Sequence, residues 1–462
     1  MVLYFVQPRF FLPLFQFLWL QGQTPVLDWR NGQQYLGVVF AGFVVLLFLG
    51  VPIAAAMALP AIAYFITHEM TLSVVCYTLF NKLFNFQMLA IPMFILMGNL
   101  VNAFEETERG FAFARQALRG KKGYSAKVNV IISLVFAGMS GAALADVGGL
   151  GNIEIRAMER EGYSRAYGAA LTIATSVVGP IFPPSIPLVL FAMVAELSSA
   201  RCLIAGMLPG VLISACLLVF VILHDKKIPT LYEDPLTAEE KSPAYKRKVF
   251  LDALPIMLCP IIIIVCMLGG VLSPGETGAL ACVYAIGCGI LHRTFSWKKV
   301  WGACMDTLKS CSAILLVIFA GDLLSKVFTL EALPQRIINL LGGVAQNQFL
   351  LLIIINALLL VLGMIMESNS IIILTTPIIL ALTTPLGLDP YAIGVMLVYN
   401  VMIGLCTPPF GMCLFAGAKT AGISVDRVVK EVIPMYVPLV ISLLLITFVP
   451  QVSTFIPNLL FS

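Results

Sequence analysis

The chain has 462 residues, of which 60% are hydrophobic and only 11% are charged, where charged residues make up about a quarter of a globular domain. That balance excludes a soluble protein and predicts an all-α polytopic membrane protein embedded in a lipid bilayer. The net charge is +4, with lysine and arginine in short clusters between apolar runs, so nucleic acid is not an expected partner.

Residues 1–34 are aromatic and apolar but carry Pro8, Arg9 and Pro13 and lack a signal-peptide cleavage pattern. They read as an interfacial or connecting helix, with a misassigned start codon as the alternative. The first main unit spans 35–223. Residues 36–65 hold two apolar segments parted at Gly50, Val51 and Pro52, followed by a mixed stretch with Lys82 and a third apolar segment at 88–104. A crossing helix needs about 20 residues. The next stretch is too charged to cross, yet Phe111, Ala114 and Leu118 recur at helical spacing opposite Arg109, Gln116 and Arg119. Such a helix lies along the membrane surface.

Residues 128–158 are apolar around a glycine-rich interruption at 138–151 that contains Asp146. Lys121, Lys122 and Lys127 precede the segment and Arg156, Arg160 and Arg165 follow it. With both flanks cytoplasmic by the positive-inside rule, the segment is a re-entrant helical hairpin. Residues 163–196 form a helix broken at GPIFPPS (179–185), and 201–223 return to a basic cytoplasmic loop at 224–248.

The second unit, 249–462, repeats this order: apolar segments at 250–272, 277–291 and 301–328, then a weakly charged surface stretch at 331–345. A second hairpin at 349–388 has its tip at 363–370 and flanks nearly free of lysine and arginine, which places it on the external side. A helix at 391–418, broken at GLCTPPFG (404–411), runs inward to Lys419, Arg427 and Lys430, and a last span at 432–449 puts the C-terminus outside.

An offset of 225 positions pairs Gly138 with Gly363, Gly162 with Gly387, Gly179 with Gly404, Pro183 with Pro408, Pro184 with Pro409 and Pro209 with Pro434. These residues dictate where helices break or turn. Because the hairpin flanks carry opposite charge character, the halves are inverted repeats. Inverted repeats with broken helices are the pattern of a secondary transporter, with its site where the breaks meet near mid-membrane. Freed carbonyls there coordinate a cation, and half-helix N-termini receive an anion.

The expected substrate and ion residues are Ser140, Gly141, Asp146, Gly179, Pro183, Pro184, Ser185, Glu367, Ser368, Asn369, Thr375, Asn400, Gly404, Thr407, Pro408 and Pro409. Sodium ligands are expected among Ser140, Asp146, Gly179, Glu367, Asn369, Gly404 and Thr407, because hard cations prefer oxygen donors. Each of these side chains also has a plainer reading as a helix cap or a bond back to its own helix. Asp146 and Glu367 stand out, since a carboxylate at membrane depth is costly unless it meets a cation or a helix end. The eleven cysteines form no CxxC pair and read as packing residues, and His68, His224 and His292 sit at ends of apolar runs, against a histidine metal site. No catalytic group and no cofactor besides a coupling sodium ion is expected. A polytopic membrane enzyme is the weakest reading, for want of an HExxH or Ser/His arrangement.

GMSGAALAD, GPIFPPS, SPGETGALACVYA (273–285), GMIMESN with TTP (375–377) and GLCTPPFG, in this order over residues 36–455, resemble the large membrane subunit of tripartite ATP-independent periplasmic (TRAP) transporters. The resemblance implies an elevator-type, sodium-driven importer of a small organic anion such as a dicarboxylate, sialic acid or sugar acid. It also implies two partners, a periplasmic solute-binding protein and a small four-helix membrane subunit. Hairpins and broken helices would then form the mobile unit, and the surface helices near 107–119 and 331–345 its arms. The chain departs from the family pattern at its longer N-terminus, at Ala142 and Ala143, where hydroxyl residues are common, and at Glu367, where aspartate is common. A stand-alone anion symporter of related architecture, needing no delivery protein, is the alternative.

Overall fold

The computed structural model describes residues 33–68, 86–118, 123–141, 143–224, 242–269, 272–342 and 346–461. The readings of residues 1–32, of the stretch around Lys82, of Ala142 and of 225–241 lie outside them. The described residues contain no strand, and seven of their helices are long and apolar enough to cross a membrane.

The elements come in two matching series. In the first half these are α1 (Gln33–Phe48), α2 (Ile53–Thr67), α3 (Ala90–Ala103) and the charged helix α4 (Glu106–Leu118). A hairpin follows, made of α5 (Tyr124–Ser140), α6 (Ala143–Gly149) and α7 (Gly151–Arg160). The broken helix is α8 (Arg165–Thr175) with α9 (Ile186–Val194), and α10 (Ser199–Ala205) and α11 (Met207–His224) close the half. The second half runs α12 (Pro243–Leu268), α13 (Pro274–Leu291), α14 (Trp297–Leu330) and the short helix α15 (Leu333–Leu341). Its hairpin is α16 (Gln348–Ile365) with α17 (Ser368–Thr383), and its broken helix is α18 (Pro390–Leu405) with α19 (Met412–Ala421). It ends with α20 (Val425–Val432), α21 (Tyr436–Phe448) and α22 (Gln451–Leu460).

The halves interlock rather than sit side by side. Helix α3 packs on α13 and α14, and α2 packs on α14, forming one layer. In the other layer α9 packs on α17, α8 on α19, and α19 on α6. Each broken helix therefore touches parts of both repeats, and the pairs α14–α17 and α3–α5 join the layers.

Local sequence explains the ends of these elements. Ser273 and Glu276 form a reciprocal capping box at the start of α13, which accounts for the SPGE portion of its motif. Both hairpins are tied at their bases at equivalent positions. Glu161 accepts from the backbone N–H groups of Tyr124 (3.0 Å) and Ser125 (2.8 Å), satisfying the N-terminus of α5. In the second half Gln348 Nε2 donates to the carbonyl of Leu386, 225 positions after Glu161, at 2.8 Å.

Three boundaries differ from the sequence reading. The first hairpin turns at Gly141, with φ +59°, and helix resumes at Ala143, so Gly148, Gly149 and Gly151 lie in the returning arm and not at the tip. The second tip is confined to Met366 and Glu367. The last apolar segment runs over Val425–Phe448 and is followed by α22, whose end is held where Arg201 Nη2 donates to the Phe461 carbonyl at 2.6 Å. The polar residues Gln451, Ser453, Thr454 and Asn458 hid that final helix from an apolar-run criterion.

Candidate substrate site between two hairpin tips and two helix breaks

Both proline pairs stop helices. In the first half α8 ends at Thr175, a 3₁₀ turn covers Ser176–Val178, and α9 starts only at Ile186. The Pro183–Pro184 peptide is cis, and Ser185 Oγ caps α9 by accepting from Leu188 N at 3.1 Å while donating to the carbonyl of Pro180. In the second half α18 ends at Leu405 and α19 begins at Met412, again around a cis peptide, Pro408–Pro409. The break is steadied from outside: Tyr436 OH donates to the Cys406 carbonyl (2.7 Å) and Cys406 Sγ donates to the Ile173 carbonyl (3.4 Å).

A cavity of about 200 Å³ lies where tips and breaks meet. Its wall includes Gly141 and Leu144 of the first tip, Glu367, Ser368 and Asn369 of the second, Pro180 and Leu405 at the breaks, and Asn99, Asn102 and Ser310 from α3 and α14. Four helices begin in this wall: α6 at Ala143, α9 at Ile186, α17 at Ser368 and α19 at Met412. Helix N-termini carry the positive end of the macrodipole and suit negatively charged groups; Glu367 already meets the start of α17, which leaves the starts of α6, α9 and α19 in the wall. Among the described lining residues there is no lysine or arginine, and Glu367 is the only charged one. Glu367 is occupied by its own turn. Its Oε1 accepts from Ser368 Oγ (3.1 Å) and Asn369 Nδ2 (2.8 Å), and its Oε2 from Ser370 N (3.3 Å), which makes it the N-cap of α17. Asn369 Oδ1 is buried and makes no hydrogen bond among the described residues.

The remaining sequence candidates divide. Gly179 lies against Asp146: a Cβ there would sit 2.5 Å from Asp146 Oδ2, with the Ser176 carbonyl 3.6 Å away. Gly141 approaches the Pro184 carbonyl, 3.2 Å from a Cβ in its place, so the first tip touches the first break. Ser140 is the last residue of α5, beside that tip. Gly404 serves packing: it crosses Gly363 of α16 backbone to backbone. Thr375 and Thr407 bond back to the carbonyls of Ile371 and Ile403, both at 2.7 Å. Asn400 donates to Asn356 Oδ1 (2.6 Å) and the Asn356 carbonyl (3.0 Å), joining α18 to α16.

Sequence reasoning missed two groups. Asn99, Asn102 and Ser310 sit in ordinary apolar spans, and only the folded contact between the layers brings them to the cavity. Glu154 lay hidden in a stretch that reads as basic flank. It is 3% exposed, and its Oε2 accepts from Asn129 Nδ2 and Thr172 Oγ1, each at 3.0 Å. Thr175 Oγ1 then donates to Asn129 Oδ1 at 2.8 Å. Thr175 precedes Asn400 by 225 positions, so both repeats join the hairpin's first arm to the broken helix through an asparagine.

A family model described as the tripartite ATP-independent periplasmic transporter, DctM component, matches residues 40–452. The chain belongs to this family. A sialic acid TRAP transporter permease protein of Haemophilus influenzae is 33% identical, covering 93% of this chain and 70% of that protein. A sialic acid TRAP large permease protein of Vibrio cholerae is 32% identical, covering 92% of this chain and 98% of the relative. A C4-dicarboxylate TRAP large permease protein of the same organism is 29% identical over 92% of this chain and 98% of its own length. The crystal structure of the Alcanivorax borkumensis YdaH transporter has a TM-score of 0.57 at 16% identity, covering 82% of this chain and 88% of that one, a likeness of fold alone. The DctM-type chain is therefore a multi-span transport permease and not an enzyme.

Proposed function

We propose that this DctM-type subunit imports a small organic anion across a bacterial inner membrane by sodium symport. On this reading a periplasmic binding protein delivers the substrate and a small four-helix subunit is the membrane partner. The observation that carries the reading is the cavity itself, with the starts of α6, α9 and α19 in a wall that has no basic side chain among its described residues. Helix dipoles compensate a carboxylate only in part, and a buried charge needs a partner. A co-bound cation supplies it. Asp146, packed on Gly179 beside the Ser176 carbonyl, provides hard oxygen donors at the first break, and Asn369 Oδ1 provides another at the second tip. The permeases named above for sialic acid and C4-dicarboxylate, and a relative named for 2,3-diketo-L-gulonate, all handle anions, which supports the same substrate class here.

The hairpins and broken helices move as a unit against the layer of α1–α3 and α12–α14, with α4 and α15 as arms, and the C-terminus is periplasmic. Liposomes containing the two membrane subunits, supplied with loaded binding protein, test the reading. Uptake of sialic acid, a C4-dicarboxylate or a sugar acid should require the binding protein. Equal uptake without it would favour a stand-alone symporter.

A further inference from the structure

Two buried acid clusters away from the cavity repeat across the inverted halves. Glu106, the first residue of α4, is fully buried, and its Oε1 lies 2.7 Å from Nδ1 of His292, the residue that ends α13. Arg109 Nε is 3.7 Å from the same oxygen, while Oε2 accepts no hydrogen bond among the described residues. In the other half Glu331 stands between α14 and α15 and is 8% exposed. Its Oε1 accepts from Tyr64 OH at 2.8 Å and its Oε2 from Arg336 Nη2 at 3.0 Å. Tyr64 stacks at 3.9 Å on His68, which ends α2. Glu331 follows Glu106 by 225 positions, and His292 follows His68 by 224.

The pairing is crossed. Helix α4 of the first repeat is held by a span of the second, and α15 of the second by a span of the first. A buried carboxylate is costly unless its partner stays in place, so each cluster fixes the start of α4 or α15 to the α1–α3 and α12–α14 layer. A neighbouring residue links the first cluster to the cavity wall. Thr107, next to Glu106, donates to Asn102 Oδ1 at 2.7 Å, and Asn102 lines the cavity wall.

We propose that Glu106 with His292, and Glu331 with Tyr64, are positioning residues for transport, two crossed clasps that fix the pivot ends of α4 and α15. The inference rests on the reading that the hairpin unit moves against the opposite layer. A loosened pivot lets that unit shift without returning to register, which lowers the productive rate and leaves the cavity's affinity unchanged.

The test uses the two-subunit complex in liposomes with loaded binding protein, and the anion among sialic acid, succinate and a sugar acid that gives uptake. Glu106→Gln and the milder Tyr64→Phe should each lower the maximal uptake rate roughly tenfold, the equivalent of one lost hydrogen bond to a charged group. The half-saturating substrate concentration should stay within about twofold, since the clasps do not touch substrate. Glu106→Gln combined with His292→Phe should be no worse than the single change, and Glu105→Gln, whose ion pair with Lys299 (3.1 Å) is exposed, should have no effect. An unchanged maximal rate, a matching rise in half-saturating concentration, or additive losses would each overturn the proposal. Melting of the same double-mutant set in detergent is a separate readout. If the wild type transports none of the probes, the functional reading fails, while additive melting effects would still refute the clasp and non-additive ones support it.

Discussion

Substituting Gly404 by alanine isolates the packing on which the second break depends. A Cβ at this position would lie 2.6 Å from the Cα of Gly363, 2.8 Å from its carbonyl carbon and 3.0 Å from the Leu360 carbonyl oxygen. All three are backbone atoms, so no side chain can swing aside. Carbon atoms in contact sit about 3.5–4.0 Å apart, so α16 and α18 must separate by roughly 1 Å. Overpacking of this kind costs about 1–3 kcal/mol. Alanine also gains about 1 kcal/mol of helix propensity over glycine, which would obscure the effect in a direct comparison with the wild type. Gly287→Ala in α13 provides the control, because nothing lies within 4 Å of its added Cβ. Thermal unfolding of the purified complex should place Gly404→Ala below Gly287→Ala by the overpacking cost, roughly 1–3 kcal/mol. Uptake should fall only in the former, since the displaced α16 carries the second tip. Equal melting and normal uptake for both variants would refute the close crossing.

Further outcomes follow from individual contacts. Gly179→Ala drives a methyl group into Asp146 Oδ2, so both it and Asp146→Asn should raise the sodium concentration for half-maximal uptake; unchanged sodium dependence in both would remove Asp146 from the ion site. Asn129 Nδ2 also donates to Thr172 Oγ1 at 2.8 Å, so Glu154→Ala leaves one Asn129 N–H and the Thr172 hydroxyl without their buried acceptor and should lower stability by about 1–3 kcal/mol, whereas Glu154→Gln keeps an acceptor and should melt nearer the wild type. Equal melting of the two would contradict the hydrogen-bond account. Asn99→Ala removes a cavity amide whose Nδ2 also donates to Thr307 Oγ1 at 2.9 Å, and it should raise the half-saturating substrate concentration several-fold, by roughly the worth of one hydrogen bond. A normal value would place substrate elsewhere.

Much of the architecture was legible because proline and glycine act locally. Pro183, Pro184, Pro408 and Pro409 stop helices wherever they fall, and their common offset of 225 shows the repeat before any contact is known. The clusters at Lys121 to Lys127 and Arg156 to Arg165 mark a hairpin base by simple charge. The destinations of the polar side chains were not legible. Thr375, Thr407 and Glu367 had two readings each, and only the folded geometry places the two hydroxyls on their own helices and the carboxylate on its own turn. Glu106 and His292 are separated by 186 positions, and Tyr64 and Glu331 by 267, so no local pattern could join them. The histidines at the ends of spans were visible, but their partners were not.

On the proposed function, a cavity fed by helix N-termini, without a described basic side chain, holds an organic anion only together with a cation. The most direct measurement is initial uptake by the two-subunit complex in liposomes, driven by loaded binding protein, under an inward sodium gradient and again with potassium replacing sodium. Uptake should saturate with sodium and fall to background in potassium. Equal uptake in the two salts would contradict it.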